Sequence, residues 1–203
     1  MKDFVKEAEK TFNTHSESYE ERTKDYLKNC LQKEADLFLS LLKGKDIIDL
    51  GAGPGRDAIY FKEKEFNVLC IDISDNMLNL CRKKGLKTMK LDITNIKKLN
   101  TKFDGVWSYT TLHLMPKKEF IVLLPKIKSI LKTGGIFFLG LPEGEKVEGW
   151  KENEIKFPGT KRWYTPYKKE ELEEILNKHF KIIFFSRTKA INLDKSKNKR
   201  ISF

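Results

Sequence analysis

Three aspartates and a glycine-rich turn are the residues of this chain whose types and spacing fit ligand-binding chemistry. Asp49 stands two residues before the GAGPG turn of residues 51–55, and Asp72 and Asp92 each follow a short apolar run. Glycine allows positive φ and close approach of the backbone to a ligand. A carboxylate accepts hydrogen bonds from hydroxyl and amine groups. The combination therefore favours a cationic nucleoside over a pyrophosphate.

The glycine turn departs from the fingerprint of dinucleotide-binding proteins. That fingerprint is GxGxxG followed by an acid about 20 residues on. Here the glycines are spaced GxGxG, and Arg56 stands where the third glycine should be, although Asp72 is suitably placed for two ribose hydroxyls. A dinucleotide enzyme is therefore disfavoured.

Alternating strands and helices must position these residues. We predict strands over residues 47–50, 66–71, 86–91, 103–109 and 136–141, with helices between most of them. Such alternation indicates βαβ units and a mostly parallel sheet, whose ligands bind at the carboxyl ends of the strands. The three aspartates, with Ser108 and Tyr109, all fall at those ends.

The segments before and after this sheet are predicted to form separate parts of the fold. Residues 1–43 are predicted to form a helical cap, residues 45–141 the cofactor-binding core, and residues 142–168 a lid-like loop. Residues 169–203 are predicted as a helix followed by strands at 180–185, 190–193 and 199–203, with a hairpin loop at 195–199. The whole is expected to be one domain.

Composition limits the classes of protein. The chain has 203 residues and a net charge of +11, and residues 151–203 carry 14 basic and 7 acidic residues. A basic excess can mark an anionic or nucleic-acid partner, although lysine dominates the basic count throughout. We expect a cytoplasmic protein, because no apolar run suits a membrane span or a signal peptide. Three cysteines without CxxC spacing are expected to be reduced, and no metal site is expected.

At this point the chain resembles the class I S-adenosylmethionine-dependent methyltransferases, across residues 45–141 and more loosely over nearly its whole length. The first motif of that family is similar to IIDLGAGPGRDA, its ribose-binding acidic loop to VLCIDIS, and its adenine-proximal loop to LDIT. Its fourth strand is similar to FDGVWSYTTLHLMP, and its LKPGG turn to LKTGGIFFLG, where Thr133 replaces proline. The small-molecule subgroup is resembled by ERTKDYL and KRWYTPYKKEELEEIL.

The resemblance implies a Rossmann-like α/β fold, with a mostly parallel seven-stranded sheet, helices on both faces and an N-terminal helical cap. It also implies S-adenosyl-L-methionine as the cofactor and S-adenosyl-L-homocysteine as the product. The implied cofactor-binding residues are Tyr19, Arg22, Asp49, Gly51, Ala52, Gly53, Arg56, Asp72, Ile73, Met77, Asp92, Ile93, Ser108 and Tyr109. Arg56 is expected to pair with either the cofactor carboxylate or Asp57, and Met77 to line the adenine pocket or pack in the core.

Residues for the acceptor side are harder to choose. His113 and Tyr109 are the candidate catalytic residues, for positioning more than for acid–base work, because methyl transfer to a good nucleophile needs mainly alignment and desolvation. The substrate-pocket candidates are His113, Arg162, Trp163 and Tyr164.

The expected activity is direct in-line methyl transfer to a small-molecule acceptor. Two alternatives stay open, namely a methyltransferase acting on tRNA or a modified nucleoside, and a non-catalytic cofactor-binding regulatory protein. Aromatic residues beside basic ones at 161–167 would suit base stacking. Nucleic acid is thus a possible but not favoured partner, no membrane partner is expected, and either a monomer or a homodimer fits.

Overall fold

A computed structural model describes residues 1–145, 147–189 and 199–203 of the chain. Its main sheet has the order β3-β2-β1-β4-β5-β9-β8. The first five of these strands pair in parallel, whereas β9 pairs antiparallel with both β5 and β8. The predicted mostly parallel α/β sheet is therefore confirmed for its five core strands.

The described residues include nine strands and eight α-helices. The strands are β1 (Asp46–Leu50), β2 (Asn67–Asp72), β3 (Lys87–Lys90), β4 (Phe103–Tyr109), β5 (Leu131–Pro142), β6 (Gly149–Asn153), β7 (Phe157–Tyr164), β8 (Ser186–Lys189) and β9 (Lys199–Ser202). The helices are α1 (Asp3–Thr14), α2 (Ser16–Thr23), α3 (Tyr26–Cys30), α4 (Gln32–Leu41), α5 (Arg56–Glu63), α6 (Asp75–Lys83), α7 (Lys117–Ser129) and α8 (Lys169–Asn177).

The sheet separates two hydrophobic clusters. Side chains alternate between the faces of a strand, so the neighbours Ile47 and Ile48 of β1 fall in different clusters. One cluster packs the sheet against α4 and α5, and it includes Trp107 stacked on Phe138 at 3.9 Å between ring centroids. The other packs it against α7 and α8. Helices therefore cover both faces, as a buried parallel sheet requires.

The segment predicted as a lid-like loop is largely a β-hairpin. Strands β6 and β7 pair antiparallel and form a second, two-stranded sheet. Helix α1 packs on this hairpin, where the Thr11 hydroxyl donates to the Lys161 carbonyl at 3.1 Å and His15 Nε2 lies 3.1 Å from the Pro158 carbonyl. The loop prediction failed because it rested on the polar composition of the segment, while cross-strand pairing and contact with α1 determine its structure.

The C-terminal predictions have mixed outcomes. The strand predicted at 180–185 is wrong, because these residues have no strand pairing and β8 begins at Ser186. Phe180, Ile182 and Phe185 instead pack irregularly against the core. The strand predicted at 199–203 is confirmed as β9. The predictions for residues 190–193 and 195–198 lie outside the described residues.

Within the parts of the chain that the structure describes, no helix combines the length and the apolar character that a membrane crossing requires.

Candidate active site

A cleft with about 900 Å³ of empty space, part of it open to solvent, lies at the carboxyl ends of the central strands. The chain runs outward from β1 through β2 to β3 and then returns to β4 on the other side. Such a reversal of strand order is where open α/β sheets bind ligands. The lining residues of the cleft include Phe4, Val5, Ala8, Phe12, Tyr19, Asp49, Gly51, Ala52, Gly53, Arg56, Asp57, Asp72, Ile73, Leu91, Asp92, Ile93, Thr94, Tyr109, Thr110, Thr111, Leu114 and Met115.

The glycine turn between β1 and α5 requires its glycines. Gly51, Gly53 and Gly55 have φ of 70°, 55° and 78°, in the left-handed region that side chains disfavour. A Cβ on Gly51 would lie 2.2 Å from the Thr111 side chain, and one on Gly55 would lie 2.6 Å from Leu86. Side chains at these positions would therefore clash with Thr111 and Leu86. The turn instead presents backbone groups to the cleft.

Asp72 is held at the end of β2 by two backbone amides. Gly53 N–H donates to Asp72 Oδ2 and Ser74 N–H to Asp72 Oδ1, each at 2.9 Å. Burial raises the pKa of Asp72, and these amide hydrogen bonds oppose the rise. A carboxylate offers about four acceptor positions, so both oxygens keep capacity for a ligand hydroxyl. The arrangement ties the glycine turn to the next strand end.

Asp49 lies beneath the turn in a more acidic environment. Its side chain is buried, and burial raises its pKa well above the usual range, helped by Asp57 and opposed by Arg56. A cationic ligand group in the cleft would favour the ionised form. Asp49 therefore makes this end of the cleft suited to positive charge.

Arg56 is already paired within the protein. Its Nε and Nη2 donate to the two carboxylate oxygens of Asp57 at 2.6 and 3.0 Å, and Trp107 Nε1 donates to Asp57 at 3.0 Å. Burial alone would lower the pKa of Arg56, but the Asp57 carboxylate raises it above its ordinary value. Of the two roles expected for Arg56, the structure shows the pairing with Asp57.

Asp92 follows β3 and begins a 3-10 turn. Its Oδ1 accepts a hydrogen bond from Thr94 N–H at 2.9 Å, which fixes the carboxylate at the cleft edge. Ile93 and Leu91 flank it as half-buried apolar residues, with Ile73 at the neighbouring strand end. This end of the cleft thus combines one acceptor group with apolar walls, as the binding of a flat aromatic amine requires.

Helix α1, part of the helical cap predicted for residues 1–43, lines the cleft with side chains that the sequence did not single out. Its lining residues recur at helical spacing and are Phe4, Val5, Ala8 and Phe12. Asn13 Oδ1 accepts from Ser74 Oγ at 2.7 Å and from Asn76 N–H at 3.1 Å. The helical period was a readable signal of an amphipathic helix, but the surface that the helix covers was not.

The remaining predicted cofactor residues divide between the cleft and its surroundings. Tyr109 lies in the cleft wall with its hydroxyl 3.1 Å from that of Tyr26, on α3. Ser108 and Met77 are fully buried and do not line the cleft, and Met77 packs in the core of α6. Arg22 also lies outside the lining, with its guanidinium carbon 5.3 Å from the centre of the Phe157 ring.

The predicted acceptor residues cluster on the hairpin side and do not line the cleft. His113 is 9% exposed and packs edge-on against Tyr164, with 5.4 Å between ring centroids. Trp163 donates from Nε1 to Thr165 Oγ1 at 3.0 Å, and Arg162 lies over Phe157 at 4.2 Å. Leu114 and Met115, which follow His113 in the chain, do line the cleft. The structure thus brings these residues to the border of the cleft.

Sequence comparison agrees with this geometry. Residues 47–135 match the model of a protein family described as a methyltransferase domain. This segment is therefore similar to a methyltransferase domain. The match contains β1, the glycine turn, Asp72, Asp92 and β4, which are the elements that form the sheet side of the cleft. The predicted resemblance to methyltransferases is confirmed for residues 47–135.

Solved structures share the fold of this chain. A DhpI–SAH complex is 14% identical, with a TM-score of 0.71, and the match covers 98% of this chain and 95% of that chain. Magnesium protoporphyrin IX methyltransferase from Synechocystis PCC 6803 with bound SAM is 15% identical, with a TM-score of 0.71 and coverage of 100% and 97%.

A third similar structure is 1,6-didemethyltoxoflavin-N1-methyltransferase from Burkholderia thailandensis, with bound 1,6-didemethyltoxoflavin and S-adenosylhomocysteine. It is 20% identical, with a TM-score of 0.67 and coverage of 98% of this chain and 88% of that chain. No curated protein matches the chain in sequence. The likeness therefore establishes the fold over nearly the full length.

Proposed function

We propose that this protein transfers the methyl group of S-adenosyl-L-methionine to a small-molecule acceptor by direct in-line displacement, releasing S-adenosyl-L-homocysteine. The observation that carries the proposal is the cleft at the strand ends of a methyltransferase domain, where Asp49, Asp72 and Asp92 stand around the glycine turn. When bound, the cofactor supplies an electrophilic methyl group on a sulfonium. The residues present fit such a ligand, because acids line the cationic side and apolar residues line the other.

Each strand end has its own role in this proposal. Asp72, preorganised by Gly53 N–H and Ser74 N–H, accepts hydrogen bonds from the two ribose hydroxyls. Asp92 accepts from the adenine amine. The methionine end lies against the glycine turn, where the Asp49 carboxylate stabilises positive charge.

Ile73 and Ile93 contact the faces of the adenine, supported by the apolar side of α1. Tyr19 extends the binding surface at the cap, and Ser108 and Met77 support it from behind. These assignments agree with the burial of each residue, and binding measurements on single variants test them.

The chain contributes alignment and water exclusion more than proton transfer. Helix α1 lines the cleft and packs against the hairpin, and exclusion of water from the site strengthens every electrostatic contact within it. Tyr109 is held by its contact with Tyr26 and borders the site where the acceptor enters. His113, Trp163 and Tyr164 form the outer wall of the acceptor pocket. No dedicated base is required, because alignment accounts for most of the acceleration.

The acceptor class is supported by the similar structures. One is named for 1,6-didemethyltoxoflavin and another for magnesium protoporphyrin IX, both small molecules. Together with the enclosed shape of the cleft, these names favour a small-molecule acceptor for this chain over a folded RNA.

Transfer of labelled methyl groups tests the proposal. Purified protein is incubated with methyl-tritiated S-adenosylmethionine and a fractionated cell extract, and label is followed into the low-mass fraction. We expect label in that fraction with the wild-type protein, and a loss of at least tenfold in Asp72→Ala. Label that enters only RNA and is released by ribonuclease would contradict the small-molecule acceptor. If the protein binds S-adenosylhomocysteine but transfers no labelled methyl group to any fraction of the extract, a regulatory protein is favoured.

A further inference from the structure

Two arginines beside the cleft have no carboxylate partner within 4.0 Å among the described residues. They are Arg22 of α2 and Arg162 of β7. The other arginines whose side chains the structure describes all make hydrogen bonds, Arg56 to Asp57, Arg82 to Thr88 and Asn79, and Arg187 to Glu143. The pair is therefore exceptional in this molecule.

Both guanidinium groups converge on one aromatic ring. Their Cζ atoms lie 5.3 Å (Arg22) and 4.2 Å (Arg162) from the centre of the Phe157 ring. Burial lowers the pKa of both, and Arg22 lowers that of Arg162 further. The Nη1 atom of Arg162 is buried and makes no hydrogen bond within the described residues. Leaving a buried donor without a partner is destabilising, so an external acceptor is expected.

The arginine pair adjoins the cleft through Tyr19. This tyrosine lines the cleft and lies 6.1 Å from Phe157 between ring centroids. It is one helical turn before Arg22, and its hydroxyl is close enough to influence the pKa of Arg22, Arg56 and Arg162. Arg56 is neutralised by Asp57. Two positive charges thus remain at the border between cleft and hairpin.

Charge balance indicates which ligand they serve. The proposed cofactor carries a sulfonium, an ammonium and one carboxylate, so it adds a net positive charge that Asp49 and Asp72 can balance. It supplies no second anion for two unpaired guanidinium groups. Both arginines also lie outside the matched residues 47–135.

We propose that Arg22 and Arg162 form an anion-binding site that receives the acidic group of the methyl acceptor, a carboxylate, phosphate or similar oxyanion. The proposal rests on the proposed function for its assignment to the acceptor. Guanidinium groups match the geometry of such oxyanions and bind them with charge-assisted hydrogen bonds. Both guanidinium groups lie beside the Phe157 ring, and Arg22 is close enough to Arg162 to lower its pKa.

Arginine side-chain NMR tests this site with inorganic phosphate as the probe. Phosphate is titrated at constant ionic strength into the protein with and without S-adenosylhomocysteine, and the Nε–H signals are followed. We expect two arginine signals to move together and saturate in the loaded protein. Signals that do not saturate would overturn the proposal.

Variants identify the residues and guard against misfolding. Arg22→Gln and Arg162→Gln should each remove one moving signal and weaken phosphate binding at least tenfold. Lys161→Gln is the matched control, because it removes the same charge from an exposed neighbour on β7. Arg162→Lys keeps the charge, and saturable shifts of Arg22 should persist there with weaker affinity. Equal effects of Lys161→Gln and Arg162→Gln would contradict a specific site.

The same titration separates the acceptor from the cofactor. If S-adenosylhomocysteine alone saturates both signals and phosphate adds nothing, the occupant is the cofactor carboxylate and the proposal is overturned. Absence of S-adenosylhomocysteine binding to the wild-type protein by calorimetry is a different result, since it contradicts the proposed function. The phosphate response of the unloaded protein would still decide whether the anion site exists.

Discussion

The sheet side and the hairpin side of the cleft treat charge in opposite ways. On the sheet side, Arg56 is paired with Asp57, and Asp72 accepts two backbone amides. On the hairpin side, Arg22 and Arg162 meet only aromatic rings among the contacts that the structure describes. Groups already satisfied by the protein are preorganised and cost little to align when a ligand binds. Groups left unsatisfied gain most from a ligand of opposite charge.

This difference separates a fixed donor site from an adaptable acceptor site. The sheet side is built from residues 47–135, which match a methyltransferase family model, and its polar groups hold the glycine turn in place. The hairpin side is built from α1, α2 and β7, and it tolerates uncompensated charge. A variant on one side should therefore affect stability and cofactor binding, while a variant on the other should affect the anion.

The largest expected effect is that of Asp57→Ala on stability. The substitution leaves the buried Arg56 guanidinium without its counter-charge and Trp107 Nε1 without its acceptor. We expect the free energy of unfolding to fall by about 3–5 kcal/mol, as when one partner of a buried pair is removed. Urea unfolding measures it. Asp75→Ala, which breaks an exposed pair with Lys90, is the control and should cost less than about 1 kcal/mol. An equal fall in the free energy of unfolding in both variants would contradict the claim that the buried Arg56–Asp57 pair stabilises the fold more than the exposed pair.

Next in size is the effect of Asp72→Ala on cofactor binding. The variant removes the proposed ribose acceptor and frees the Gly53 and Ser74 amides. Hydrogen bonds to charged groups contribute about 1.5–3 kcal/mol, so S-adenosylhomocysteine should bind roughly ten- to a hundredfold more weakly by calorimetry. Asp72→Asn, which retains one oxygen acceptor, should lose less. Unchanged affinity in Asp72→Ala would show that the ligand lies elsewhere.

The pH dependence of stability tests the buried acid Asp49. Burial raises its folded-state pKa above the ordinary value of 3.8, so the folded state holds its proton more tightly than the unfolded state. Stability from this group is therefore greatest below that ordinary value and falls as the pH rises toward the raised one. The slope reaches at most about 1.4 kcal/mol per pH unit.

Asp49→Asn removes this titration. We expect the variant to be at least as stable as the wild type at pH 7 and to show a flatter stability–pH curve between pH 4 and 7. Parallel chemical unfolding at several pH values measures both. A variant curve that runs parallel to that of the wild type would show that Asp49 is ionised in the folded protein.

The smallest expected effect is that of Arg22→Gln on stability. Since no carboxylate within the described residues pairs with Arg22, its removal leaves no buried counter-charge behind. We expect a change of less than about 1 kcal/mol in the free energy of unfolding, in the range of ordinary surface substitutions. A loss similar to that of Asp57→Ala would show that the hairpin side is as tightly bound as the sheet side.

The sequence could predict the sheet side because its residues have few alternatives. The predicted strand over 103–109 coincides with β4, which is buried along its whole length, as a central parallel strand requires. The glycines at 51, 53 and 55 all have positive φ, which few other residues adopt without strain. The sequence also predicts Asp72 and Asp92 at strand ends, because each follows a short apolar run.

The hairpin side could not be predicted because tertiary contacts determine it. Strand β7 contains Pro158, Gly159 and two basic residues, so neither periodicity nor propensity marks it as a strand. Its contact with α1 joins residues that are far apart in sequence, such as Thr11 and Lys161. The strand predicted at 180–185 is wrong because the position of a strand depends on its pairing partner. Strand β8 begins only at Ser186, where it pairs with β9.

Calorimetric titration of the wild-type protein with S-adenosylhomocysteine and, separately, with NAD tests the central claim most directly. The acids at the strand ends and the satisfied Arg56–Asp57 pair predict stoichiometric, saturable binding of S-adenosylhomocysteine and no measurable binding of NAD. Saturable binding of NAD with none for S-adenosylhomocysteine would contradict the account.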